Sequence, residues 1–157
     1  GGNSTDDNVT NNDGVSIGSS TLYLDGIKVG DGGQTTGRLN LTVFPTSDFK
    51  FNLALFGADN IFSNINAEDF DEPDGGNAQL PAYKLFDFGA GYNFDLFGNN
   101  AYLRLNINNL FDEEYYPEME NNYLATDDST NYMGINTANR IFPGWGRTWN
   151  VGLTYRF

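Results

Sequence analysis

The side chains able to hold a cation or move a proton are oxygen donors gathered in three places. STDDNVTNNDG offers Asp6, Asp7, Asn8, Asn12 and Asp13 and ends on a turn glycine; Glu68, Asp69, Asp71, Glu72 and Asp74 form a second acidic run; Glu113 and Glu114 stand side by side. Hard oxygens suit calcium, but neither run has the 1-3-5 and position-12 ligands of an EF-hand. A solvated polar loop is the simpler reading of both, and no metal site is expected. Paired carboxylates also serve glycoside hydrolysis, yet adjacent residues on a strand point to opposite faces and imply no cleft. With no histidine and no cysteine in 157 residues, the usual general base, the His-containing triads and the commonest transition-metal ligands are missing. The sequence therefore predicts no catalytic residue, no cofactor and no enzyme.

Charge narrows the partners. Eight Lys and Arg against 21 Asp and Glu give a net charge of −13 and a pI near 4.1. Affinity for phosphate backbones comes from clustered Lys and Arg, so nucleic acid is excluded as a partner. Thirteen Phe, nine Tyr and two Trp stand beside 19 Gly in a chain of mean hydropathy −0.46, a combination that suits strands with one apolar face joined by polar loops. No run approaches the ~18 apolar residues of a membrane helix, but strands that alternate leave a weak hydropathy signal and can still cross a membrane. The first residues have neither the basic start nor the apolar core of a signal peptide.

The positioning elements are legible as period-2 patterns. In WGRTWNVGLTYRF, Trp145, Trp149, Val151, Leu153, Tyr155 and Phe157 share one parity, with Arg147 the single exception, against Gly146, Thr148, Asn150, Gly152, Thr154 and Arg156. Such alternation predicts a two-faced strand over 145–157, whose thirteen residues at ~3.3 Å each and ~45° tilt would rise roughly 30 Å, the thickness of a hydrocarbon core. Segment 101–111 sets Ala101, Leu103, Leu105, Ile107 and Phe111 against Tyr102, Arg104, Asn106 and Asn108. Segment 83–95 sets Phe86, Phe88, Ala90, Tyr92 and Phe94 against Asp87, Gly89, Gly91, Asn93 and Asp95. Segments 49–57 and 38–45 follow the same rule, although Phe56 breaks the polar face of the former, with Arg38 and Asn40 on the polar parity of the latter.

A soluble sandwich alternates too, so the connections decide. They run short (45–48), long (59–81), short (96–100) and long (112–144), and the long ones carry most of the acid. Tight turns alternating with long loops are the habit of transmembrane barrels. Residues 1–30 fit less well: STDDNVTNNDG reads as a turn-forming or mobile stretch, and 17–29 as one leg of a hairpin whose faces do not suit lipid.

Three stretches make the chain resemble the C-terminal part of TonB-dependent outer-membrane receptors over about residues 20–157. NINNLFDEEYY (106–116) is similar to the family's penultimate strand and the Leu-Phe-Asp that follows it; LPAYKLFDFGAGYNF (80–94) is similar to a descending strand; RTWNVGLTYRF is similar to the terminal strand of outer-membrane barrels. KVGDGGQTTGRLNLTVFP and GINTANRIFPGWGRTWNVGLTYRF add to the likeness.

The resemblance implies an all-β fold, an antiparallel transmembrane β-barrel segment of about five membrane strands from a barrel of ~22 with a plugged lumen. Residues 1–36 would be an extracellular polar loop and hairpin leg, and 37–157 the C-terminal transmembrane strands with long outer loops at 59–81 and 112–144. Five strands are too few to close a barrel, so the chain is expected to be a piece of a larger protein. Implied partners are outer-membrane lipid and lipopolysaccharide, the receptor's own plug and N-terminal strands, the inner-membrane TonB complex and the barrel assembly machinery. Phe157, Tyr155, Leu153, Val151 and Trp149 would carry the assembly signal, or serve only as a lipid-facing girdle. Arg38, Asp87, Arg104, Asn106, Asn108 and Arg156 would face the lumen, and Arg147 would snorkel to lipopolysaccharide phosphates. The implied function is import of a scarce nutrient (iron chelate, oligosaccharide or peptide) across the Gram-negative outer membrane. The alternatives are a small non-transporting outer-membrane barrel used in adhesion and a secreted all-β binding module.

Overall fold

The computed structural model describes residues 4–10, 12–30, 32–64, 70 and 76–157. Among the described residues twelve strands follow one another: β1 (Ser4–Thr10), β2 (Ser16–Leu22), β3 (Gly33–Val43), β4 (Phe49–Phe62), β5 (Gln79–Leu80), β6 (Tyr83–Leu96), β7 (Asn99–Asn108), β8 (Glu118–Glu120), β9 (Asn131–Tyr132), β10 (Ile135–Asn136), β11 (Arg140–Phe142) and β12 (Thr148–Tyr155). The fold is all-β, and every pairing whose register is defined is antiparallel. The chain divides into two units.

One unit, 35–59 with 82–115 and 143–157, is a meander in the order β12-β7-β6-β4-β3, with β12 and β3 at its edges. It does not close into a barrel. Its tight connections are built as the sequence demands. Between β6 and β7, Phe97 and Gly98 both take positive φ (55° and 80°), the requirement of a two-residue type I′ hairpin, and Asp95 Oδ1 accepts the Gly98 N–H at 3.0 Å. Between β3 and β4, Thr46 Oγ1 accepts the Phe49 N–H at 3.1 Å, and the Asn93 N–H reaches the Asp48 carbonyl at 2.7 Å.

Cross-strand register sorts the side chains into rows. Phe49–Tyr92–Leu103–Leu153, Phe51–Ala90–Leu105–Val151 and Leu53–Phe88–Ile107–Trp149 lie on one face; Lys50–Gly91–Arg104–Gly152 and Asn52–Gly89–Asn106–Asn150 lie on the other. In this register the parities expected for 49–57, 83–95, 101–111 and the last strand fall on common faces. The only buried apolar residues of this unit are Ala54, Ala58 and Ala101, among those described, whereas Leu39, Leu41, Trp149, Val151 and Leu153 are exposed. Among the described residues of this unit no second layer covers the apolar face, so the unit has no core of its own.

The strand limits correct the expectation at the C-terminus. The last strand is Thr148–Tyr155 rather than 145–157, about 26 Å along its axis at ~3.3 Å per residue, and the ~30 Å rise predicted for it does not stand. Trp145 and Arg147 precede the strand, held by a hydrogen-bond cluster described below, so Arg147 does not occupy a position on the strand face.

The other unit, 1–34 with 60–81 and 116–142, collects the segments expected to be open loops. They are packed. Ile61, Phe70, Leu80 and Met119 are at most 1% exposed, and Ser63, Ala78, Tyr116 and Ile135 are buried too. Asn122 ties three chain segments together: its Oδ1 accepts from the Ser63 hydroxyl and the Ala78 N–H, each at 2.6 Å, and its Nδ2 donates to the Gly76 carbonyl. Asn139 bonds both the N–H and the carbonyl of Tyr123, and Gly30 lies so close to the Ser63 carbonyl that a Cβ would collide with it. The stretch read as turn-forming is in part a strand, because β1 pairs with β2.

Candidate functional site

Two surfaces of the sheet and the cluster at its upper end carry the residues singled out above. On the polar face, Asp87, Arg104, Asn106 and Asn108 stand where parity places them, and Arg38 Nε donates to Asn40 Oδ1 at 3.3 Å on β3. Asn106 donates to Asn150 at 2.9 Å, and Asn108 to Thr148 at 3.1 Å. These amide bridges fasten β7 to β12 without an ion pair. Lys50 Nζ lies 5.9 Å from the Tyr102 ring centroid, and the Tyr102 hydroxyl occupies the place where a Cβ on Gly91 would stand. Asn52 fills the corresponding place at Gly89. At either glycine of GAGYNF a Cβ would have to displace the end of a neighbouring side chain on the polar face, Asn52 or Tyr102. Arg156 lies beyond β12, and its N–H continues the ladder to the Asn100 carbonyl at 3.0 Å.

On the apolar face, ring contacts run along and across strands. Phe51 stacks on Phe88 with centroids 6.5 Å apart, Phe49 meets Tyr92 edge-on at 6.3 Å, and Tyr92 stacks on Phe94 at 5.7 Å. Tyr155, Leu153, Val151 and Trp149 line this side of β12 and are all exposed; Phe157, past the strand, is wholly exposed and touches the Tyr155 ring at 6.2 Å.

The cluster at the strand exit was not anticipated from the sequence. Asn109, 4% exposed with φ 51°, is its centre. Its N–H donates to Asp87 Oδ1 at 3.0 Å; its Nδ2 donates to the carbonyls of Glu113 (2.9 Å) and Trp145 (3.2 Å); its Oδ1 accepts the Glu113 N–H at 2.8 Å. Asp112, also at positive φ, accepts the Arg147 N–H at 2.6 Å. The Gly144 N–H donates to the Tyr115 carbonyl at 2.8 Å, and the Tyr115 ring sits where a Gly144 Cβ would be. The motif NNLFDEEYY and the returning FPGWGR are therefore two halves of one clip that fixes the entry to β12. The available signal was Asn and Asp at a strand end, the residue types that tolerate left-handed backbone and bond their own neighbourhood.

Among the described residues no three carboxylates gather into a group able to hold a metal ion. The run 68–74 lies outside the described residues apart from Phe70, as do the side chains of Asp7 and Asn8. Charge is unevenly divided: the loop unit contains 14 of the 21 acidic residues and only Lys28 and Arg140 of the basic ones, Arg140 being paired with Glu120 at 2.7 Å. No helix is long and apolar enough to cross a membrane, which says nothing of strands. Comparison with family models, curated proteins and solved structures finds no match.

Proposed function

We propose that the chain is the C-terminal barrel portion of a TonB-dependent outer-membrane receptor that imports a scarce nutrient of the iron-chelate, oligosaccharide or peptide class. The observation that supports this reading is the uncovered, two-faced sheet: rows of large apolar side chains on one side, amides and charges on the other, and no core between layers. In water such a face would cost about 25 cal/mol for each Å² left uncovered. In hydrocarbon it costs nothing.

The dimensions agree. From the row of Leu55 and Phe86 to that of Phe94, Ala101 and Tyr155 the apolar face spans five rows, roughly 26 Å along the strands and ~20 Å along the normal at a tilt near 40°, which the aromatic residues at both ends extend toward the ~25 Å band of outer-membrane barrels. Both edges, β3 and β12, present backbone groups that lipid cannot satisfy at several kcal/mol each, and in this proposal further strands of the same barrel pair with them. The polar face meets a plug or water, the acidic connections are the outer loops, and the exposed end of β12 with Phe157 is read by the assembly machinery. Energy comes from the inner-membrane TonB complex through other parts of the receptor.

The test uses the intact protein in its own cells. It is expected in the outer-membrane fraction as a heat-modifiable band, and deleting its gene should abolish TonB-dependent growth on one limiting nutrient. Recovery in the soluble fraction would contradict the membrane reading. A membrane location with every uptake intact would favour the adhesion barrel instead.

A further inference from the structure

Lys50 and Arg104 stand in one cross-strand row, Lys50–Gly91–Arg104–Gly152, on the polar face of β4, β6, β7 and β12. Two strand spacings of ~4.8 Å separate their backbones, so the two cations start about 10 Å apart. Both are exposed, and neither has an ion-pair partner among the described residues. The carboxylates that these four strands place on the same face are Asp87 and Asp95, two rows away on either side, or ~13 Å at ~3.3 Å per residue. Each is engaged with backbone elsewhere: Asp87 Oδ1 accepts the Asn109 N–H and Asp95 Oδ1 the Gly98 N–H. In a chain of net charge −13, the middle of this wall carries positive charge that nothing beside it offsets.

Around the cations the wall leaves room for a group to approach. Gly91, between them, brings no side chain, and the Tyr102 hydroxyl, from the neighbouring row, occupies the place its Cβ would take. Lys50 Nζ lies 5.9 Å from the centre of the Tyr102 ring, within the range of cation–π attraction. At Gly152, on the far side of Arg104, nothing lies within 4 Å of the absent Cβ. An ammonium, a guanidinium and a phenolic O–H, each able to donate to a carboxylate, thus share one stretch of wall beside bare backbone.

We propose that this row seats acidic side chains of the receptor's own plug, a proposal that rests on the membrane reading above. A filled lumen makes the difference. Water solvates two lone cations, but a plug laid against this wall takes that water away, and a desolvated charge without a partner is costly. The plug surface that covers the row therefore brings negative charge, which the Arg104 fork and the Lys50 ammonium meet with charge-assisted hydrogen bonds. An anionic nutrient is the poorer occupant. The loop unit, with 14 acidic residues against two basic ones, would repel it on its way in, whereas the plug belongs to the same polypeptide and does not pass the outer loops.

The intact receptor is inserted into planar lipid bilayers and the current through it is recorded as urea is raised, which reports the plug leaving the lumen. With Lys50→Glu and Arg104→Glu together the pore should open about tenfold more often than in the wild type at the same urea concentration, the equivalent of one charge-assisted contact. Lys50→Gln with Arg104→Gln should fall between the two, and Lys50→Arg with Arg104→Lys should match the wild type. Raising the salt from about 0.1 M to about 1 M should bring wild-type opening toward that of the charge-reversed variant, a change that a merely structural role would not give. Heat-modifiable migration reports barrel folding, and the glutamine pair, at exposed positions, keeps the test decisive if charge reversal does not fold. A folded charge-reversed receptor that opens no more often than the wild type overturns the seat and leaves the membrane reading standing. A plug that stays in place while uptake of an anionic nutrient is lost overturns the plug as its occupant. Failure of the protein to enter membranes at all overturns the membrane reading itself.

Discussion

Replacing Asn109 by leucine should lower the stability of the sheet by about 4 kcal/mol, from three lost or orphaned buried hydrogen bonds at ~1 kcal/mol or more each and the ~1 kcal/mol that a leucine adds in left-handed backbone. The residue is almost wholly buried and its amide bonds the backbone of Glu113 twice and of Trp145 once. Leucine fills the same volume but leaves the Glu113 N–H and the Trp145 carbonyl without their partner. Asn108→Ala is the control one residue away. Asn108 is exposed and makes a single side-chain bond, to Thr148, so its loss should cost less than about 1 kcal/mol. Urea titration of the reconstituted protein, followed by Trp145 and Trp149 fluorescence, measures both, and equal costs at the two positions would dismiss the clip.

The second large effect separates two adjacent residues by face. Leu105→Arg, in the middle apolar row beside Ala90 and Val151, should cost about 2–4 kcal/mol, the penalty for arginine at the midplane of a barrel's lipid side, whereas Asn106→Arg should be tolerated within ~1 kcal/mol. A sheet wetted on both faces would accept the two substitutions alike. Folding yield into lipid vesicles across a urea series reads the difference directly.

The alternation in 38–45, 49–57, 83–95, 101–111 and 145–157 was enough to place five strands, their order and the two open edges, because a period of two is fixed by the pleat and needs no knowledge of partners. Elsewhere the controlling contacts are distant in sequence. STDDNVT has Val9 as its one large apolar residue, and the strand there comes from backbone pairing with 16–22 rather than from burying a face. Ile61, Phe70, Leu80, Met119 and Ile135 are each buried yet follow no period in the sequence, so the loop unit read as merely solvated. At the last strand, parity ran through Trp145 and Arg147, but Asn109 and Asp112 claim that stretch through bonds to the Trp145 carbonyl and the Arg147 N–H. Nothing in the residues 143–147 alone announces that competition.

The central claim is that one face of the sheet meets hydrocarbon and the other does not, and site-directed spin labelling tests it most directly. The chain has no cysteine, so single thiols introduced in turn at 103–107 and 149–153 each carry the only label in this stretch. In reconstituted vesicles, labels at 103, 105, 107, 149, 151 and 153 should relax with oxygen, which concentrates in lipid, and those at 104, 106, 150 and 152 with a water-soluble nickel chelate. The two accessibilities should alternate out of phase along both strands. Equal access of the chelate to both parities would contradict the account and place the sheet in water.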